Sequence, residues 1–171
     1  MQQVTQTSLT IDRTSSLNVS SVDASCVALP NIGFSLTGTK LIGAPSFLKY
    51  PTQNFTTNAF GIYSFSNLEW DTYSALLTSA SYDLAGADPL PSFAINPNEN
   101  KILKMVVAPH MGKALLVSVK DSLGNALNGA SVHLEKIGFD ETKITNSGSC
   151  ATHGQVFWNG LADGIYTLTI S

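Results

Sequence analysis

Residues 154–170 read GQVFWNGLADGIYTLTI, and residues 61–77 read GIYSFSNLEWDTYSALL, 93 positions earlier. The alignment needs no gap and pairs four positions: Gly61 with Gly154, Phe65 with Trp158, Leu68 with Leu161, and Tyr73 with Tyr166. Upstream, LPNIGFSL (29–36) aligns with LNGASVHL (127–134) at an offset of 98. Because an intervening loop tolerates a change in length, the two offsets are compatible. The sequence therefore predicts two copies of one structural unit.

Apolar residues recur with a period of two in each copy. Residues 131–134 alternate Ser, Val, His and Leu, and residues 166–170 alternate Tyr, Thr, Leu, Thr and Ile. This alternation is typical of strands with one buried and one wet face. Turn residues separate the segments at 121–125, 127–130, 146–149 and 162–164. The pattern predicts an all-β fold of two tandem Ig-like, Greek-key β-sandwiches joined by a short linker.

The alignment of the two copies gives the boundaries of these units. We predict an N-terminal extension at 1–14, a first sandwich at 15–108, a linker at 109–113 and a second sandwich at 114–171. Residues 91–109 are expected to form a strand pair around the turn NPNEN. The second copy has no counterpart of this stretch, so we expect it to lack its last hairpin and to present an open edge.

The composition excludes several classes of protein. Only 12% of the residues are charged, the net charge is −3, and the 20 Ser and 16 Thr supply much of the polar surface. Nucleic-acid binding needs a basic surface that this chain lacks. No apolar run approaches the ~18 residues of a membrane helix, and residues 1–10 lack the pattern of a signal peptide. We expect an extracellular protein, with any anchor or signal outside this sequence, that does not insert directly into a membrane.

The segments VKDSLGNALNGASVHLEK (119–136) and GQVFWNGLADGIYTLTIS (154–171) resemble the carboxypeptidase regulatory-like domain. That family has a prealbumin-like β-sandwich, and its relatives include the Cna-B-type repeats of bacterial surface and pilin-like proteins. The first copy matches less well, with LEWDTY in place of a Gly-rich turn and without an Asp-x-x-Gly turn near Cys26. The resemblance implies a stalk, spacer or adhesion module on a bacterial cell surface, envelope or pilus. Other domains of the same surface protein would then be its partners.

Leu68, Leu161, Tyr73 and Tyr166 are predicted to be core residues. The leucine would close the end of each sandwich, and the tyrosine would point its ring inward while its hydroxyl reaches the backbone. A Tyr166→Ala change is accordingly expected to cost about 3 kcal/mol.

Candidate chemistry is sparse. Some Cna-B repeats form an internal Lys–Asn isopeptide bond, but alternation places Lys120 on the outer face, so none is expected. His110, His133 and His153 have no His or Cys at metal-ligand spacing. Asp83 and Asp88 are interpreted as part of a polar loop rather than a calcium site. With no catalytic constellation, we expect no enzyme activity, no metal and no cofactor.

Cys26 and Cys150 lie one in each copy. Their spacing is compatible with two free buried thiols, with one intrachain disulfide, or with bridges to another chain or to repeats outside this sequence. An intrachain bridge would tie the two copies together.

Exposed aromatic residues are the remaining indication of binding. Phe157 is expected to point outward, Trp70 lies in a turn, and Tyr50 and Phe55 lie in a long loop at 43–60. These residues could contact a glycan or a receptor, or they could cap their own sandwich or the junction. The sequence thus predicts a non-catalytic stalk or adhesion module, with two alternatives: a glycan- or receptor-binding module, and an assembly subunit that uses an open β-edge.

Overall fold

The structure is a computed structural model that describes residues 12–145, 150 and 152–171. The predicted turn at 146–149 and most of the predicted extension at 1–14 lie outside these residues. The described part of the chain contains strands and no helix, in agreement with the all-β prediction. It likewise contains no helix long and apolar enough to span a membrane.

The strands follow one another in this order: β1 (Ser15–Val22), β2 (Gly33–Gly38), β3 (Leu41–Ile42), β4 (Phe47–Leu48), β5 (Gln53–Thr56), β6 (Ile62–Leu68), β7 (Asp71–Leu77), β8 (Tyr82–Asp88), β9 (Phe93–Ile95), β10 (Asn100–Pro109), β11 (Lys113–Ser118), β12 (Ser131–Lys136), β13 (Phe139–Ile144), β14 (Gln155–Leu161) and β15 (Thr167–Ile170).

Two four-stranded sheets, ordered β6-β1-β10-β8 and β5-β2-β7-β9, make the first sheet pair. β1 lies between β6, which is antiparallel to it, and β10, which is parallel. Alternate side chains of both sheets meet in one buried cluster that includes Leu17, Phe34, Tyr73 and Leu103. The first sheet pair is therefore a β-sandwich with a continuous apolar core.

The second sheet pair is smaller and consists of the sheets β11-β14 and β13-β12-β15. Its separate core is built around Val132, Leu134 and Trp158. Each of its strand pairings has a counterpart in the first pair, because β11-β14 corresponds to β1-β6 and β13-β12-β15 to β5-β2-β7. Strands corresponding to β8, β9 and β10 are not among the described residues of this pair.

The correspondence extends to individual residues. Leu17 lies opposite Phe65, and Leu115 lies opposite Trp158. The register shifts at the same point in both ladders, between Ser15 and Leu17 and between Lys113 and Leu115. The aligned aromatic residues thus face the aligned leucines.

Gly61 and Gly154 show why this alignment begins with glycine. Both have positive φ, 70° and 67°, a conformation that favours glycine. A Cβ on Gly61 would lie 2.7 Å from the carbonyl oxygen of Ser21, and a Cβ on Gly154 would lie 2.7 Å from that of Val119. The close approach of two backbones therefore excludes a side chain at both positions.

Three sequence predictions about local structure are wrong. Residues 91–109 do not form a hairpin, because β9 pairs with β7 while β10 pairs with β1 and β8 in the opposite sheet. Residues 83–88 form most of β8 rather than a loop. The region 43–60 contains β4 and β5. At 83–88 and 91–109, pairing with strands distant in sequence determines the structure, and local signals do not identify those partners.

The prediction of four equivalent core residues holds only in the first sheet pair. Leu68 and Tyr73 are buried, whereas Leu161 and Tyr166 are partly exposed at the edge of the second core. Further along β15, Leu168 and Ile170 are 43% and 48% exposed. The inner face of β15 is open because no strand among the described residues covers it as β10 covers the first core.

Candidate functional site

The turn after β1 brings Cys26 to the surface that faces the second sheet pair. Asp23 closes this turn, since its Oδ1 accepts hydrogen bonds from the backbone N–H groups of Ser25 and Val27 at 2.8 and 2.9 Å. The backbone N–H of Cys26 donates to the carbonyl oxygen of Asp23. Cys26 has a φ of 68°, so it takes the left-handed position that glycine normally fills in such a turn.

The same turn follows β11. Asp121 Oδ1 accepts from the N–H groups of Leu123 and Asn125 at 2.9 and 2.8 Å, and Gly124 has a φ of 85°. Hydrogen bonds from the side chain and backbone of Asn125 are the largest causes of the lowered pKa of Asp121. The sequence near Cys26 lacks the Asp-x-x-Gly motif, as expected, but the same turn forms there because Cys26 takes the position of the glycine.

A disulfide joins Cys26 to Cys150, and their Cα atoms are 5.1 Å apart. The two residues are 124 positions apart in sequence. Cys150 precedes β14, so the bridge connects the turn after the first strand of the first sheet pair to the entry of β14 in the second. Of the three states compatible with the sequence, the structure contains the intrachain bridge.

Gln155 forms a second tie across the same junction. Its Oε1 accepts from the backbone N–H of Ala87 at 3.1 Å, and its Nε2 donates to the carbonyl oxygen of Ala87 at 2.8 Å. Both residues are buried. The side chain of Gln155 thus satisfies two buried backbone groups on β8, as a paired strand would.

Small residues on β8 let the second sheet pair approach closely. Gly86 has no room for a Cβ, which would overlap the side chain of Thr152. Phe157 lines the same junction beside Val106 and Ala108. By the alternation of β14, Gln155 lies on the same face as Phe157, which the sequence predicted to point outward. At Gln155 this face is not open to solvent, because it packs against the first sheet pair.

The other predicted ligand-contact residues lie at the far end of the first sheet pair or inside it. Phe55 packs with Tyr63 and Phe65, with ring centroids 5.0 and 4.7 Å away. Tyr50 packs edge-on against Tyr73 at 5.6 Å. The rings of Tyr50 and Phe55 are therefore used in packing against the first core.

Trp70 lies beside a shallow cleft of about 160 Å³ whose lining includes Tyr50 and Glu69. The ammonium group of Lys40 lies 3.4 Å from the centroid of the Trp70 ring and donates to the Trp70 carbonyl oxygen at 2.7 Å. This contact covers one face of the indole. Trp70 remains 46% exposed.

Tyr73 occupies the buried corner beneath this cleft. Its hydroxyl donates to the carbonyl oxygen of Glu69 at 3.0 Å, and Tyr166 donates to the carbonyl oxygen of Ala162 at the same distance. The predicted reach of both hydroxyls to the backbone is therefore confirmed. Burial, followed by the nearby carboxylate of Asp71, raises the pKa of Tyr73 to about 12.

Within the described part of the chain, the structure brings together one group of metal-ligand type that sequence reasoning missed. Ligand atoms of His133, Glu135 and Asp140 lie within 4.8 Å of one another on the β12–β13 hairpin. The His133 ring lies 3.0 Å from Asp140 Oδ1 through Nε2. A search for His–His or His–Cys spacing could not find this group, because Asp140 comes from the neighbouring strand. The exposed hydrogen bond between His133 and Asp140 accounts for the approach of these two side chains.

No protein-family model matches the chain, and no curated protein matches it either. Among solved structures, the chain is similar to the Bacillus anthracis TIE protein, with 19% identity, a TM-score of 0.38, and coverage of 93% of this chain and 28% of that one. It is similar to the major pilin SpaD of Corynebacterium diphtheriae, with 19% identity, a TM-score of 0.43 and coverage of 73% and 37%.

A third similar structure is the shaft pilin SpaA of Lactobacillus rhamnosus GG, with 13% identity, a TM-score of 0.36 and coverage of 94% and 88%. The chain thus spans only about a third of the length of the first two structures. Similarity at this level carries no conclusion about what the chain binds or does.

Proposed function

We propose that this chain is a non-catalytic structural module of a bacterial cell-surface, envelope or pilus-associated protein, in which two sandwich units are fixed to one another and carry load as one stalk segment. The units correspond to residues 15–108 and 114–171. The observation that carries the proposal is the disulfide between Cys26 and Cys150, because it connects the two units close to opposite ends of the sequence.

The position of the bridge determines which residues bear tension. A force that enters at residue 12 and leaves at residue 171 reaches Cys26 after β1 and passes through the bridge to Cys150. Residues 27–149 then form a covalent loop that this force does not stretch. Most of both sandwiches is thereby protected from extension, which is the property that a stalk segment requires.

The buried contacts at the junction support a fixed arrangement rather than two units on a flexible linker. Gln155 replaces solvent as the partner of the Ala87 backbone. Removing such a partner inside a protein leaves two buried polar groups unsatisfied. The contact therefore favours one orientation of the two units.

The disulfide also supports the extracellular location. Disulfides form and persist in oxidising compartments and are rare in the cytosol. The charge-poor surface, rich in Ser and Thr, fits the same setting. Alkylating the protein isolated from its own cells, before any reduction, tests this part of the proposal. Both cysteines should escape modification, and carbamidomethylation of either would contradict it.

Stretching the chain by its two ends tests the mechanical role. The oxidised protein should extend far less than the same protein in reductant. A variant with Cys26→Gly and Cys150→Ala is the matched control, because it should show the long extension without reductant. Equal extensions for the oxidised protein and this variant would refute the proposal.

A second candidate function is assembly through the open edge of the second sheet pair, and the half-exposed Leu168 and Ile170 favour it. In the first sheet pair β10 pairs with β1 in parallel. A strand from a second copy could pair with β11 in the same way and cover these side chains. Sedimentation of the oxidised chain over a range of concentrations tests this. A dimer lost on Leu168→Ser would support it, and a monomer at all concentrations would refute it.

The remaining alternative, a glycan- or receptor-binding module, has less support. It would use Trp70, Tyr50, Phe55 and Phe157, but three of these pack within a core or at the junction, and Lys40 covers one face of the fourth. Retained glycan binding in a Trp70→Ala variant would exclude a role for this corner.

A further inference from the structure

Residues 41–48 form an apolar finger that projects from the first sheet pair. Leu41 pairs with Leu48, and Ile42 pairs with Phe47, in a two-stranded ladder. Paired residues in such a ladder share a face, so the two pairs lie on opposite faces. All four side chains are 36–59% exposed. The sequence of the finger, LIGAPSFL, contains no charged residue.

The finger lies at the end of the first sheet pair that is farthest from the disulfide. The backbone N–H of Lys49 donates to the carbonyl oxygen of Lys40 at its base. Lys49 Nζ also lies 2.6 Å from Glu69, which directly follows β6. That end of β6 pairs with the beginning of β1, at Ser15, whereas Cys26 follows the other end of β1.

The base of the finger is surrounded by amphipathic side chains. Lys40 stacks on Trp70, and Lys49 and Tyr50 follow β4 directly. The two ammonium groups are balanced locally, because Lys40 and Lys49 both lie near Glu69 and the backbone N–H of Lys40 donates to Asp71. The base of the finger therefore carries charged side chains but forms no positively charged patch.

We propose that the finger is a lipid-binding element that enters the boundary between headgroups and acyl chains of a bilayer, with Trp70, Lys40 and Lys49 at headgroup level. A flat protein surface could cover only one face of the finger, whereas a lipid layer surrounds both. Trp, Tyr and Lys are the residues that accumulate at that depth. Leu41 and Ile42 rise at about 3.3 Å per residue, and the turn at 43–46 adds a few ångströms, so the finger reaches roughly 10 Å, the depth at which interfacial elements lie.

The expectation that this protein does not insert into a membrane rested on the absence of a long apolar run. A shallow element of eight residues needs no such run. Since the chain has a net charge of −3 and the base is balanced, attraction to anionic headgroups would not contribute. Binding is therefore expected to be weak, to occur on neutral lipid and to be insensitive to salt.

Flotation with phosphatidylcholine vesicles tests the proposal on the oxidised, full chain. The Leu41→Ser, Phe47→Ser double variant should reduce the bound fraction at least tenfold. The matched control is Leu123→Ser, Ile165→Ser, which removes two other highly exposed apolar side chains of the second sheet pair. The control should bind like the unaltered chain, and thermal melting should show that all three proteins are folded.

Four outcomes would overturn the proposal. The first is that the unaltered chain does not bind vesicles at millimolar lipid, and the second is that both double variants lose the same share of binding. The third is that high salt abolishes binding. The fourth is that the chain associates with itself without lipid and that this association disappears in the Leu41→Ser, Phe47→Ser variant. The last outcome would assign the finger to a second copy of the chain. None of them affects the mechanical proposal, which depends on the disulfide at the opposite end.

Discussion

Cys26 and Gly124 occupy the same position in equivalent turns, and both have left-handed backbones, with φ of 68° and 85°. A residue with a Cβ pays about 1 kcal/mol for this conformation. Cys26→Gly should therefore be more stable than Cys26→Ala by about that amount, although both lack the disulfide. Urea unfolding of the two variants measures the difference. Equal stability, or a more stable alanine variant, would show that the turn is not under this constraint.

Gln155→Leu should destabilise the protein by about 2 kcal/mol, because it leaves the N–H and carbonyl groups of Ala87 buried without partners. Asn159→Leu is the control, since Asn159 lies on the same face of β14 but is exposed. That change should alter the free energy of unfolding by less than about 0.5 kcal/mol. Similar effects of the two changes would mean that the junction contact does not form in solution.

Tyr73→Ala and Tyr166→Ala should differ although the two hydroxyls make the same backbone hydrogen bond. Tyr73 is 2% exposed and lies within a complete core, so its loss should cost about 4 kcal/mol. Tyr166 lies at an open edge, and its loss should cost about half of that, less than the value expected from the sequence. Paired unfolding curves give both values. A larger cost at Tyr166 would indicate that the second core is closed in solution.

Tyr73 should also make the protein sensitive to alkali. Its pKa in the folded state is about 12, above the ordinary value of 10.0. A raised pKa means that folding favours the neutral phenol, so this contribution is complete below pH 10 and is lost as the pH rises toward 12. Stability measured from pH 9 to 12 should fall less steeply in Tyr73→Phe than in the unaltered chain. Parallel curves would contradict the assignment.

Alternation and turn residues were sufficient to predict the β class. The alignment of 61–77 with 154–170 also corresponds to equivalent positions in the structure, since Phe65 lies opposite Leu17 and Trp158 lies opposite Leu115. These features are local, because each depends on a few neighbouring residues. The prediction of a loop at residues 83–88 failed because the conformation of β8 depends on residues that are distant in sequence. Ala85, Gly86 and Ala87 have little strand propensity, and β10 and the close approach of Thr152 explain their conformation.

The junction could not be predicted for a similar reason. The alternation of β14 identifies which residues share a face, but it does not show whether water or another sheet covers that face. Gln155 therefore looked like a solvent-exposed residue. One signal for the turn was present and was missed: Asp23 is followed three residues later by Cys26, as Asp121 is followed by Gly124. Aligning the turns at the offset of 98 would have revealed the substitution.

Single-molecule stretching between the two chain ends tests the load-bearing role most directly. With the bridge intact, only the 26 residues up to Cys26 and the 22 residues from Cys150 onward can extend, which at about 3.5 Å per residue gives about 17 nm. Breaking the bridge releases the 124 positions that separate the cysteines and should add about 40 nm. We predict the short extension in oxidising buffer and the long one in reductant. A long extension before reduction would contradict the account.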